Sequence, residues 1–273
     1  MASFRARRGF AMPMAIMVVL VLTTMLSMML ERHIGQILSN RRQLDAYAFG
    51  QATRGISEAL DAWIRSNGNN PIAGALDSEG LAFTLSTDGG QVVKVYLRDG
   101  QGQALADLAG LGGDTLQLGY DVVDHLVREE RENARKLVRR EGPLAISVNS
   151  APKAVLKAAI EAADVEGVAG GLLGTLLSMR SSQGGLTPEE LTQVIQDEVE
   201  DGASRVQISA LLTANPALWR VEITSEARVT GQVDSRYRAW SLITRTAAPG
   251  QGDRASSIER PTSIFGWERV VER

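Results

Sequence analysis

There is no cysteine among the 273 residues. That excludes a disulfide scaffold, a thiol nucleophile and any Cys-based metal site, and a chain of this length can bury a sufficient core without covalent staples. Histidine is scarce as well: His33 and His125 are far apart, so a zinc-type His cluster is not available. No Gly-x-Ser-x-Gly, Walker or Gly-x-Gly-x-x-Gly pattern occurs. An enzyme reading has almost nothing to stand on, and the expectation is a non-catalytic protein without a cofactor. A general excess of positive charge is missing too. Setting Arg5, Arg7 and Arg8 aside from the 29 basic residues leaves 26 against 32 acidic ones, a net of about −6, which offers no broad surface for nucleic acid.

What the chain does have is one long run without charge, Gly9 to Leu30, preceded by those three arginines. At 1.5 Å per residue, Phe10–Leu30 makes a helix of roughly 31 Å, the hydrocarbon thickness of a bilayer. A cleaved secretory signal would be shorter and would end at a small-x-small site, whereas this run leads into Met28-Met29-Leu30-Glu31-Arg32. The basic residues on the N-terminal side place residues 1–9 in the cytoplasm and the bulk of the chain across the membrane, a single-pass anchor.

Beyond the span, apolar residues from Ile34 to Trp63 recur at three- and four-residue intervals, so the helix is expected to continue over 31–65 as a stem. From Met14 to Ile64 it would run roughly 75 Å. The broad stripe with Leu44, Ala48, Ala52, Ile56 and Trp63 suggests packing against a sheet rather than a coiled coil. Asn67-Gly68-Asn69-Asn70-Pro71 ends the helix.

Leu81–Ser86 and Gln91–Leu97, joined by Thr87-Asp88-Gly89-Gly90, read as a hairpin, and Leu218–Val229 with Ser235–Thr246 as a second. Asp121–Arg140 reads as a charged surface helix. Leu144–Pro152 reads as a strand running into a helix start with Ser150 as N-cap. Helices are expected near 153–163, 169–180, 188–200 and 204–213, the third opened by a capping box at Thr187-Pro188-Glu189-Glu190. The organisation expected is therefore an α+β fold: a leader (1–9), a transmembrane helix (10–30), a stem (31–65), the first part of an α/β domain (66–149), an inserted helical subdomain (150–213), a closing hairpin (214–246) and a flexible tail (247–273). The terminal Ile264–Arg269 stretch carries aromatics that could dock onto the domain.

Arg7-Arg8-Gly9-Phe10 resembles the prepilin class of signal, which implies that a membrane peptidase cuts between Gly9 and Phe10, that Phe10 is then N-methylated, and that the helix stays on the mature protein. Major pilins and most pseudopilins carry Glu at the fifth mature position, where this chain has Met14. The family's Glu is thought to pair with a neighbour's N-terminal amine. A subunit that leads the filament has no such neighbour above it, so Met14 fits a tip subunit. A carboxylate in the bilayer would otherwise cost a few kcal/mol.

The pattern Val148-Asn149-Ser150-Ala151-Pro152, then Arg180 to Gly185, Leu186-Thr187-Pro188-Glu189-Glu190-Leu191 and the Trp219-Arg220-Val221 strand resembles the minor pseudopilin K family of type II secretion systems. The resemblance implies a pilin-like α+β fold with an inserted helical domain, partners among other minor pseudopilins, and a place in the bacterial inner membrane and pseudopilus. Residues 66–145 match poorly, and the family's acidic Asp-Trp stretch has no counterpart, which puts its calcium site in doubt. Asp197, Glu198, Glu200 and Asp201 could hold calcium but fit a solvated helix end better. Gly167-Val168-Ala169-Gly170 is similar to the hairpin of DNA-uptake proteins, the basis of an alternative as a type IV minor pilin with an adhesive or DNA-uptake role. Glu161, Asp164 and Glu166 place negative charge where phosphate would bind.

Overall fold

The computed structural model describes residues 11–67, 71–86, 90–163, 169–227, 233–243 and 262–270. It divides into two compact units, residues 1–58 and 59–273. The described part of the first unit is helix throughout, belonging to α1 (Ala11–Ser66). Pro13 is in its first turn, where a missing N–H is harmless. The helix continues through Gly35, Gly50 and Gly55, since each costs only about 1 kcal/mol relative to Ala in an otherwise well-formed helix.

The second unit has a short helix α2 (Ile72–Ala75) after α1 and is built on a five-stranded sheet. Its strands are β1 (Leu81–Ser86), β2 (Gln91–Asp99), β7 (Leu218–Ala227), β8 (Val233–Ile243) and β9 (Thr262–Val270), in the order β1-β2-β7-β8-β9 with antiparallel neighbours. Register puts Val95 and Leu97 beside Ile223 and Val221, and Val221 beside Ala239; all five are buried. The period of two in β2, β7 and β8 therefore produces one apolar face. The last turns of α1 close it. Trp63 meets Phe83 of β1 with ring centroids 6.2 Å apart, and Asp61 accepts a hydrogen bond from the Thr262 hydroxyl of β9. These turns thus touch both edge strands, and Leu60 and Ile64 beside those contacts are fully buried. The opposite face is polar and carries Lys94, Arg98, Glu222 and Arg238.

Between β2 and β7 the chain leaves the sheet and builds a helical insert. It contains β3 (Ala104–Leu105), α3 (Gly113–Glu130), a 3-10 turn (Arg131–Lys136), β4 (Val138–Arg139), β5 (Ile146–Ser147), α4 (Lys153–Ala162), α5 (Ala169–Gln183), α6 (Pro188–Glu198), α7 (Gly202–Leu211) and β6 (Leu212–Thr213). The short pairs β3–β4 and β5–β6 are parallel. One hydrophobic cluster runs from Ala104 to Leu212. Leu118, Val122 and Leu126 of α3 contribute to it at four-residue spacing, as do Val155, Leu156, Ala159 and Ile160 of α4.

The α+β architecture is the one expected: an apolar N-terminal helix whose end packs on an antiparallel sheet, with helices inserted between two strands. Several details differ. The cluster of the insert begins at Ala104 rather than at 150, because α3 starts at Gly113 and its apolar stripe joins α4. The charged helix expected over 121–140 ends at Glu130, where Arg131 adopts φ +48° and the chain tightens into the 3-10 turn. The strand expected over 144–152 shrinks to Ile146–Ser147, and Pro152, not Ser150, occupies the N-cap of α4. The tail expected over 247–273 contains β9, in which Phe265 pairs opposite Trp240. Of the stem stripe, Leu44, Ala48 and Ala52 are exposed, and full burial starts at Leu60. The leader, the turn at 87–89, the connection at 228–232 and residues 244–261 lie outside the described residues.

Candidate functional site

Two groups of residues carry the expectations about function: the N-terminal end of α1 and the motif around Asn149.

The cleavage pair Gly9 and Phe10 lies outside the described residues. Met14 is in the first turns of α1 and exposed, as are the large apolar residues from Met12 to Leu30. Helix α1 is long and apolar enough to cross a membrane. Its polar residues are compatible with that. Thr23 Oγ1 donates to the Val19 carbonyl at 2.7 Å, and Thr24 Oγ1 to those of Leu20 and Val21 at 3.0 and 2.9 Å. A hydroxyl that bonds its own helix presents no unsatisfied donor to hydrocarbon. Past Glu31 and Arg32, Ile34, Ile37, Leu38, Leu44 and Tyr47 are exposed, at spacings that place much of the set on one side of the helix.

The motif that resembles the pseudopilin K family proves to be the internal bracing of the insert. Asn149 uses its amide as a substitute peptide unit: Nδ2 donates to the Leu186 carbonyl at 3.0 Å, and Oδ1 accepts the Leu186 N–H at 2.7 Å. Arg180 Nη1 donates to the Ala151 carbonyl at 2.6 Å, tying α5 to the start of α4. Thr187 and Glu190 make the expected reciprocal capping box on α6. The segments 148–152, 180 and 186–190 are thus brought together as a scaffold. Asn149 and Leu186–Pro188 border a cleft of about 880 Å³ that also touches Pro71, Gly80 and Trp219.

Sequence reasoning missed the joint where the insert meets the sheet. Gln101 is buried there and bonded on all sides: Nε2 donates to the Ala145 carbonyl at 2.7 Å, and Oε1 accepts the N–H groups of Ala217 and Leu218 at 2.7 and 3.1 Å. Asp99 accepts from the Gln101 N–H at 2.8 Å and from the Ser147 hydroxyl. A Cβ on Gly102 would come within 2.7 Å of the Ser150 carbonyl oxygen, so only glycine lets the two chains pass. Arg139 is buried beside this joint and donates to the carbonyls of Gln103 (2.9 Å), Glu141, Pro143 and Ala145. Burial pushes its guanidinium down to about 10, against an opposing pull from the Asp99 charge. The only signal in the sequence was the turn Asp99-Gly100-Gln101-Gly102, which says nothing of partners more than 40 residues away.

Three of the four acidic residues considered for calcium have separate partners. Asp197 accepts from Gln193, Glu198 from Thr175, and Asp201 caps α7 by accepting the Ser204 N–H at 2.7 Å. That bond holds the Asp201 carboxyl below its usual range. Among the described residues, no group of three or more His, Asp or Glu is placed to hold a metal. Of the DNA-hairpin residues, Gly167 and Val168 lie outside the described residues, and Gly170 is in the first turn of α5.

The sequence matches no protein-family model and no curated protein sequence. Among solved structures, the chain is similar to one in the crystal structure of the GspK-GspI-GspJ complex from the enterotoxigenic Escherichia coli type 2 secretion system. That likeness covers 85% of this chain and 100% of the other, at 10% identity and a TM-score of 0.44.

Proposed function

We propose that this protein is a minor pseudopilin of a type II secretion system, a non-catalytic subunit anchored in the bacterial inner membrane. Its place is the tip of the pseudopilus, where it initiates or caps assembly. The observation that carries the reading is α1 itself. A charge-free stretch to Leu30 follows Arg7-Arg8-Gly9-Phe10, Met14 stands where shaft subunits carry Glu, and the last turns of the same helix are the lid of an antiparallel sheet. Such a helix can be held in the bilayer or handed to a bundle of similar helices, because the exposed residues from Met12 to Tyr47 are mostly apolar. The insert between β2 and β7 adds a helical cluster of its own to the head, and a bulky head suits a subunit that ends a filament rather than one stacked within it.

Its partners on this reading are other minor pseudopilins, bound through helix and head, and the prepilin peptidase that removes residues 1–9. The test is complementation of a secretion-deficient strain that lacks the protein. Met14→Glu places an unpaired carboxylate in the membrane or bundle, at a cost of a few kcal/mol, and should reduce secretion. Undiminished secretion with Met14→Glu incorporated along the shaft would refute the tip assignment.

A further inference from the structure

On the sheet face opposite α1, a single carboxylate is shared by three arginines. Glu222 is in the central strand β7. Arg98 of β2 approaches its Oε2 at 3.6 Å, while Arg220 and Arg238, from β7 and β8, approach Oε1 at 3.3 and 3.7 Å. All three contacts are made through Nε and are longer than a good charge-assisted hydrogen bond. Register places Arg98 directly across from Arg220, a like-charge pair that would repel without an anion between them. The shortfall is visible in the geometry: Arg220 Nε is buried with no hydrogen bond, and Thr224 Oγ1, beyond Glu222 on the same face of β7, is in the same condition. One carboxylate does not satisfy three guanidiniums. The two outer ones remain accessible, with side chains 54% (Arg98) and 45% (Arg238) exposed. They border a shallow depression of about 510 Å³ together with Tyr96, Glu222 and Thr224.

We infer that this face is a docking surface for an acidic protein partner, one that presents a carboxylate side chain to Arg98 and Arg238. A second carboxylate there would take the two outer guanidiniums in the planar, two-pronged manner arginine favours. Glu222 would then turn to Arg220 and complete its hydrogen bond. A partner carboxylate fits better than a phosphate backbone because Glu222 and Glu226 are interleaved with the arginines and Lys94 is already bonded to Glu226 at 2.7 Å. A polyanion would meet those carboxylates, whereas a single Asp or Glu on a loop or strand passes between them. The inference concerns the head alone and does not depend on how the N-terminus is processed.

The test uses the full chain in non-ionic detergent and a fluorescent peptide of alternating Thr and Glu, with the Gln-for-Glu peptide and a short DNA duplex as alternative ligands, read by anisotropy. The Glu peptide should bind, weakening as salt rises from about 50 to about 300 mM. The Gln peptide should not. Arg98→Gln with Arg238→Gln should lower affinity about tenfold or more, while Glu222→Gln should tighten binding severalfold, because it removes the internal competitor for both arginines. A purely structural role for Glu222 would give the opposite sign. The inference is overturned if the Gln peptide binds equally, if the DNA duplex binds more tightly than the Glu peptide, or if Glu222→Gln fails to tighten binding.

Discussion

The Thr262 hydroxyl donates a hydrogen bond to the Asp61 carboxylate across 201 residues of chain, joining β9 to the last turns of α1. Both side chains are buried. Thr262→Val keeps the shape and removes the donor, so it should destabilise the head by about 1–3 kcal/mol, the penalty for an unsatisfied buried acceptor. Denaturant unfolding measures it. Adding Asp61→Leu should recover part of the loss, since an apolar pair leaves nothing unpaired.

Leu60 is fully buried and Leu44 is 67% exposed on the same helix. Leu60→Ala should cost about 2–5 kcal/mol, whereas Leu44→Ala should stay within about 0.5 kcal/mol. The stripe that looked continuous in sequence is therefore two stripes with different roles. Periodicity reports that a helix has an apolar side but not what covers it, so spacing alone extends the sheet-facing segment back to Leu44.

The same contrast runs through the rest of the molecule. Both long hairpins, the capping box at Thr187 and the helices from Lys153 to Leu211 were legible because their signals are local: alternation, turn residues and caps. The extent of the insert and the strand at Thr262–Val270 were not, because each depends on a partner distant in sequence. Phe265 becomes a strand residue by pairing opposite Trp240, and nothing between them in the chain announces it. Of the candidate site, the motif at Asn149 was legible as a pattern. Its role as a scaffold needed the hydrogen bonds to Leu186.

Arg139→Met should destabilise the insert by about 3–5 kcal/mol, since it takes the donors from partly buried carbonyls at the joint with the sheet. Its folded value of about 10 lies below the ordinary guanidinium value, so the unfolded state binds more protons only above about pH 10, and the residue's contribution rises with pH only there. The stability difference between Arg139→Met and the native protein should accordingly be flat from about pH 5 to about pH 9. A slope in that range would mean another group titrates with it.

For Asp201 the slope has the same sign but falls in the acid range. Its carboxyl is lowered by the Ser204 N–H it accepts, so the cap's contribution is complete above the ordinary carboxylate range and is lost as pH falls through the lowered value. Asp201→Asn keeps an N-cap acceptor and removes the titration. Helicity of that variant should fall less on acidification than that of the native protein, as followed by circular dichroism.

The most direct test of the pseudopilin assignment is the mature N-terminus, read by intact-mass and N-terminal peptide spectrometry after co-expression with an active prepilin peptidase. The expected species begins at Phe10, carries one N-methyl group and disappears in Gly9→Val, where bulk occupies the cleavage position. An N-terminus near residue 30, or an uncut chain beside active peptidase, would contradict the assignment.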